Sequence, residues 1–333
     1  MSRLLRFPPV YVCGTGAVGG YEERRGPFGE CFDLTAEDDR FGMPSFEQAE
    51  GEMARMALSF ALGRAGLSPA ELGLLFAGDL QNQCVASSQG LSGLPTPFLG
   101  LFGACSTMVE GMGLAALALT AAPTLPSAAA LSSSHNAAAE RQFRTPLEYG
   151  SQRTPTAQWT ATAAGAAVLG RQGRVAVTAF LPGRICDAGI TDAANMGAAM
   201  APAAADTLLA YFRESGERPE DFDLILTGDL GHEGSVLLRT LLSEPLPTLD
   251  GVHEDGGCLF YGEEKDVHGG ASGCGCIASL LAAVFLPRLE RGELTRMLAV
   301  GTGALMNPGE LQQGGAIAGV AHLVRIEATG QEV

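Results

Sequence analysis

Residues 66–80 read Gly-Leu-Ser-Pro-Ala-Glu-Leu-Gly-Leu-Leu-Phe-Ala-Gly-Asp-Leu, and residues 216–230 read Gly-Glu-Arg-Pro-Glu-Asp-Phe-Asp-Leu-Ile-Leu-Thr-Gly-Asp-Leu. Laid on each other at an offset of 150 residues, six of the fifteen positions are identical. A helical pattern precedes each copy, Met53 to Arg64 in the first and Ala203 to Glu214 in the second. Each copy then stops a helix at glycine, turns through proline and enters a short apolar strand. The constant offset predicts two duplicated halves.

Working outward, each half next offers an apolar, Gly/Ala-rich helix that opens at a cysteine: Cys105 to Ala121 in the first, Cys274 or Cys276 to Leu289 in the second. A helix apolar on every side belongs in the middle of a protein. Strands follow at Ala128 to Ser134 and at Met297 to Thr302. Strands alternating with helices predict parallel sheets covered on both faces. The expected fold is therefore α/β, two similar halves with two sheets around a central helix pair. The halves, residues 1–172 and 173–333, meet near Arg171 to Val175.

Composition agrees with a buried globular chain: hydrophobic residues are 46% of the 333 and charged residues 17%. A net charge of -16 lacks the phosphate-neutralising surplus of nucleic-acid binders, which excludes nucleic acid as the expected partner. The first residues carry no signal-peptide pattern and no apolar run approaches the ~20 residues that span a bilayer, so a soluble chain is expected. Eight cysteines are scattered without the density of a small disulfide scaffold, and mostly free thiols are expected.

Chemistry points first to Gly103-Ala-Cys-Ser-Thr107. A cysteine at a helix start faces free backbone N–H groups and the positive end of the dipole, which favours a thiolate and a covalent acyl carrier. The alternative is a small buried cysteine packing a Gly/Ala helix. His135, with Asn136 after it, sits just past a strand end, as a base, a donor to a carboxylate, or a core histidine. Asp79 and Asn82 occupy the loop after the repeated strand, where aspartate serves as a cap or as a site residue. Arg141, Arg144 and Arg153 gather near His135, either as a polycarboxylate-binding set or as a solvated loop.

Two other patterns look sharper than their context supports. Gly14-Thr-Gly-Ala-Val-Gly19 matches a dinucleotide fingerprint, but Glu22-Glu-Arg-Arg-Gly-Pro27 cannot continue the required helix. Cys258, His268, Cys274 and Cys276 lack the spacing of a zinc set. No resident cofactor or metal is expected.

The strings Ala77-Gly-Asp-Leu-Gln-Asn-Gln83, Leu101-Phe-Gly-Ala-Cys-Ser-Thr107, Ser132 to Arg144, Met200-Ala-Pro-Ala-Ala-Ala-Asp206 and Gly269-Gly-Ala-Ser-Gly-Cys-Gly-Cys276 resemble the stage V sporulation protein AD family, over nearly the whole chain. The resemblance implies a thiolase-like αβαβα layered fold and a dipicolinic acid or calcium-dipicolinate binder, with calcium entering only alongside the ligand. It implies work with membrane proteins of the same sporulation operon, at the cytoplasmic face of the forespore or spore inner membrane, and a homodimer of the kind thiolase-like proteins form. By resemblance Asp79, Cys105 and His135 surround the ligand, with Asn82, Asn136 and Arg144 beside them. Ketoacyl synthases, which share the fold, carry a His in the loop that here reads Thr227-Gly-Asp-Leu-Gly231 and a His or Asn where this chain reads Gly270-Ala-Ser-Gly273. Without that pair a condensing step lacks its stabilisers, although an acyltransferase using Cys105 on a coenzyme A thioester stays open.

Overall fold

A computed structural model describes residues 2–143, 153–262 and 266–330. Ten strands carry the architecture. The first half supplies β1 (Leu5–Gly19), β2 (Leu75–Gly78), β3 (Phe98–Gly100), β4 (Ala128–Ser134) and β5 (Ala163–Gly170). The second supplies β6 (Val175–Leu181), β7 (Leu224–Thr227), β8 (His253–Asp255), β9 (Arg296–Leu305) and β10 (Ala318–Ala328).

The two halves repeat the same order: β3-β2-β4-β5-β1 in the first, β8-β7-β9-β10-β6 in the second. In each half the first three strands of that order are parallel and the fourth runs antiparallel to both of its neighbours. The sheets are therefore mixed, not wholly parallel: β5 runs against both β4 and β1, and β10 against both β9 and β6. Nor are they separate: β1 pairs with β6, Leu5 to Phe180 and Tyr11 to Ala176, so one hydrogen-bonded path runs through both halves. The expected boundary near 171–175 falls in the turn between β5 and β6.

Six helices make the other layers: α1 (Phe46–Ala65), α2 (Val85–Gly90), α3 (Thr107–Ala121), α4 (Met196–Ser215), α5 (Gly231–Leu242) and α6 (Cys274–Leu280), the last continuing through a π turn at Leu281–Phe285 to Glu290. Strand periodicity distributes the layers. On β4, Ala128 and Ala130 face the central layer with Met108 and Met112 of α3, while Ala129 and Leu131 face α1. On β9, Met297 and Ala299 face the centre, Leu298 and Val300 face α4. The segment Ala104–Ala121 is long and apolar enough to pass for a membrane span by composition, and here it is the core helix between the sheets.

Both copies of the repeat fold alike. Gly66 and Gly216 end α1 and α4 at φ of 68° and 77°, the left-handed cap that glycine adopts without strain. The dinucleotide-like run lies wholly inside β1, so it makes no phosphate loop. Its glycines admit α1: a Cβ on Gly16 would sit 2.1 Å from the Ala57 carbonyl oxygen. Both outer helices start about two turns earlier than the sequence suggests. Ser45 caps α1 at the Gln48 N–H, and Asn195 caps α4 at the Ala198 N–H, with Pro202 accommodated inside the helix.

Candidate functional site

Each repeated strand delivers a buried aspartate to the centre of the molecule, Asp79 after β2 and Asp229 after β7. Asp79 is spent on its own loop. One oxygen accepts the Gln81 N–H at 2.9 Å, and the other accepts the Ser87 N–H at 2.8 Å and the Ser87 hydroxyl at 2.7 Å. Beside it Glu50 of α1 accepts from Gln81 Nε2 (2.7 Å) and Ser133 Oγ (3.1 Å). Burial, then the Asp79 charge, pushes the Glu50 carboxyl up to about 8.

Asp229 faces the cysteine. It accepts from Ser272 Oγ at 2.9 Å, the Gly273 N–H at 3.0 Å and Thr302 Oγ1 at 2.9 Å. Ser272 Oγ in turn lies 3.8 Å from Cys105 Sγ. Cys274, which opens α6 as Cys105 precedes α3, donates its thiol to the Ala104 carbonyl at 2.9 Å. Ala104 itself stands at φ 52°, a strained setting for a side-chain-bearing residue.

Cys105 lies in a short 3-10 turn, Ala104–Ser106, ahead of α3 rather than in its first turn. The neighbouring Cys274 sulfur, burial and the Asp229 charge together hold its thiol well above the ordinary cysteine value. The thiolate expected from the helix dipole is thus outweighed: a dipole end contributes on the order of 1 kcal/mol, and a buried like charge exceeds it.

His135 belongs to a different cluster. Its Nε2 donates to the Asp39 carbonyl at 2.8 Å and its Nδ1 accepts the Ala137 N–H at 3.2 Å, an arrangement that fixes a neutral ring. Burial lowers its pKa, and Phe46 stacks at 5.0 Å between centroids. Both nitrogens are occupied, and among the described residues His135 shares no hydrogen-bond partner with Cys105. Asn136 bonds Thr160 and Thr162 on the His135 side, and Asn82 is exposed, its N–H on Gln142. Arg141 pairs with Glu47, and Arg153 is tied to the Ala157 and Val267 carbonyls. Arg144 lies outside the described residues.

Of the six candidates, then, Asp79 and Cys105 are both buried on the side of Cys274, whose thiol is held up by burial and then by the charges of Asp79 and Glu50. Sequence reasoning missed Asp229, Ser272 and Thr302. The repeat held the signal for the first, since Asp229 is the twin of Asp79. A cleft of about 390 Å³ lies elsewhere, between Val12–Thr15 of β1, Arg64, Arg174 and Ala282–Glu290, and contains none of these residues. Among the described residues no three His, Cys, Asp or Glu side chains are grouped to hold a metal ion.

A model of the stage V sporulation protein AD family matches residues 4–327. The chain belongs to that family. Stage V sporulation protein AD of Bacillus subtilis is 40% identical over 323 residues, 97% of this chain and 95% of that one. Among solved structures, an OleA from Xanthomonas campestris matches with a TM-score of 0.61 at 14% identity, covering 97% of this chain and 99% of its own. The 3-oxoacyl-[acyl-carrier-protein] synthase III of Aquifex aeolicus matches with a TM-score of 0.55 at 16% identity, covering 96% and 99%. At such identities these two show the fold alone: the chain is a sporulation protein of the stage V AD family with a thiolase-like layered architecture. Against that architecture the loop Thr227–Gly231 takes on meaning, because it puts a buried carboxylate, Asp229, beside the central cysteine.

Proposed function

We propose that this member of the stage V sporulation protein AD family is a non-enzymatic binder of dipicolinate, using the thiolase-like centre around Cys105 as a ligand site. In this reading it serves a sporulation uptake system at the cytoplasmic face of the spore inner membrane, with membrane proteins of the same operon as partners. The ligand comes from the family resemblance. The observation that carries the rejection of catalysis is Asp229. A condensing step needs a thiolate and neutral or cationic groups that stabilise a developing oxyanion, whereas here a carboxylate and Ser272 face a protonated thiol.

A dianion entering beside Asp79, Asp229 and Glu50 meets like charge. Calcium resolves this in the proposal by travelling with the ligand and neutralising it, since both Asp79 oxygens are already bonded within their own loop. Titration calorimetry with dipicolinate tests the reading. Saturable binding is expected, weakened about tenfold or more by Cys105→Ala and by chelating calcium. Absence of binding, or an unchanged Cys105→Ala variant, contradicts it.

A second reading, acyl transfer through Cys105 from a coenzyme A thioester, is favoured only by the strained Ala104 that presents the thiol ahead of α3. The homodimer is likewise a proposal. It is supported by β3, an edge strand whose Phe98 and Leu99 are exposed together with Phe102.

A further inference from the structure

On the outer face of the second half, α5 turns an apolar stripe to solvent: Val236, Leu237 and Leu241 are 61%, 39% and 51% exposed. Thr240 completes the stripe. Spacings of three and four residues put all four on one side of the helix. Their opposite side, with Gly234, Ser235, Leu238 and Leu242, packs into the protein. The corresponding helix of the first half, α2, exposes no large apolar residue. Duplication therefore does not explain the stripe, and an exposed apolar cluster of this kind marks a contact surface.

The same face ends in charge. Glu233 lies one turn before the stripe and Glu244 one turn after it, both exposed and neither in an ion pair among the described residues. His232 adjoins the first of them, and the nearby Arg239 is paired with Asp250.

We infer that α5 docks a cationic amphipathic segment of a protein partner, apolar residues along the stripe and Lys or Arg against Glu233 and Glu244. Charge complementarity selects this occupant. A second copy laid antiparallel on α5 would bring Glu233 against Glu244, and an anionic lipid surface is repelled by both carboxylates and by a net charge of -16. Helix-in-groove recognition of this type reads anchors at the spacing the stripe presents.

The inference does not depend on what occupies the Cys105 site, and its test contains no dicarboxylate. Fluorescence anisotropy of a dye-labelled synthetic helix, leucines on one face flanked by lysines, is measured against the full chain, beside vesicles rich in anionic lipid. Saturable peptide binding is expected, about tenfold weaker in Leu237→Ser/Leu241→Ser with an unchanged thermal midpoint. Glu244→Lys is expected to weaken binding several-fold and Glu290→Lys, an equal charge change on another surface, to leave it alone. The inference is overturned if the serine variant binds as the parent does, if Glu290→Lys weakens as much as Glu244→Lys, or if vesicles bind and the serine pair abolishes that binding, which would make the surface a lipid contact.

Discussion

Thiolate formation at Cys105 would place an anion beside the Asp229 carboxylate in a buried site, where like charges repel several-fold more strongly than in solvent. Replacing Asp229 with Asn removes that charge and keeps an acceptor for Ser272 Oγ or the Gly273 N–H. The Cys105 thiol should then ionise more readily, and its modification by a small thiol-specific reagent at pH 8 should quicken. Peptide mapping of the Cys105 segment against time reads the rate at that thiol among the eight free cysteines, and equal rates in parent and variant would show that Asp229 does not govern the thiol.

Glu50 gives a second residue-level expectation. Its folded pKa, about 8, lies above the unfolded value, so the native state holds a proton that the unfolded chain has lost. Stability from that proton is complete below the unfolded carboxyl value and disappears as pH rises through 8. His253 and His322, lowered to about 4, act in the opposite sense, but their contribution is complete once pH exceeds the unfolded histidine value. Between pH 6.5 and 8.5 the fall therefore comes from carboxyls such as Glu50 and Glu23, the latter raised to about 7, joined at the top of the window by buried thiols such as Cys84 and Cys274, which burial holds above their ordinary value. The thermal midpoint should fall by roughly 2–5 °C across that window and fall less in Glu50→Gln. A parent midpoint that rises there would refute the assignment.

Among the elements, the glycines of β1 and α1 separate packing from propensity. Gly16→Ala drives a methyl to 2.1 Å from the Ala57 carbonyl oxygen, backbone that cannot move without shifting α1 off its sheet, whereas Gly63, inside the same helix, has open space at its Cβ. Gly16→Ala should cost about 3 kcal/mol or more, and Gly63→Ala should gain up to about 1 kcal/mol. Denaturant midpoints decide the comparison, and equal effects at the two sites would remove the close approach as the reason for the glycine.

Much at this scale was legible. The bounds of β4 follow from its apolar run between Pro126 and His135, and the repeat located β2, β7 and both glycine caps. Helix starts were not legible, because Pro202 reads as a boundary and the first turns of α1 and α4 are written by side-chain caps rather than by apolar spacing. The surroundings of His135 were hidden for a related reason. Asp39, which accepts from it, sits in a segment with no apolar periodicity, so nothing in the spacing brings it across β4. Asp229 was visible as a repeat and not as a site residue, since only the docking of the two halves sets it against Cys105.

Over the whole molecule, duplication fixes both the layer order and the chemistry: two halves meet at β1 and β6, and Cys105, just ahead of one central helix, neighbours Cys274, which opens the other, in one buried polar cluster. The edge strand β3 is where a second copy extends the sheet in the proposed homodimer. Light scattering should give twice the chain mass, and Leu99→Lys/Phe102→Lys should give a monomer with an unchanged circular dichroism spectrum. A parent that is monomeric would end that proposal.

Intact mass spectrometry of the purified chain after incubation with an acyl-coenzyme A distinguishes a protonated Cys105 thiol in a binding site from an acyl-accepting nucleophile. The expected result is an unchanged mass. An added acyl group that disappears in Cys105→Ala would contradict the binding-site reading and establish acyl transfer at this site.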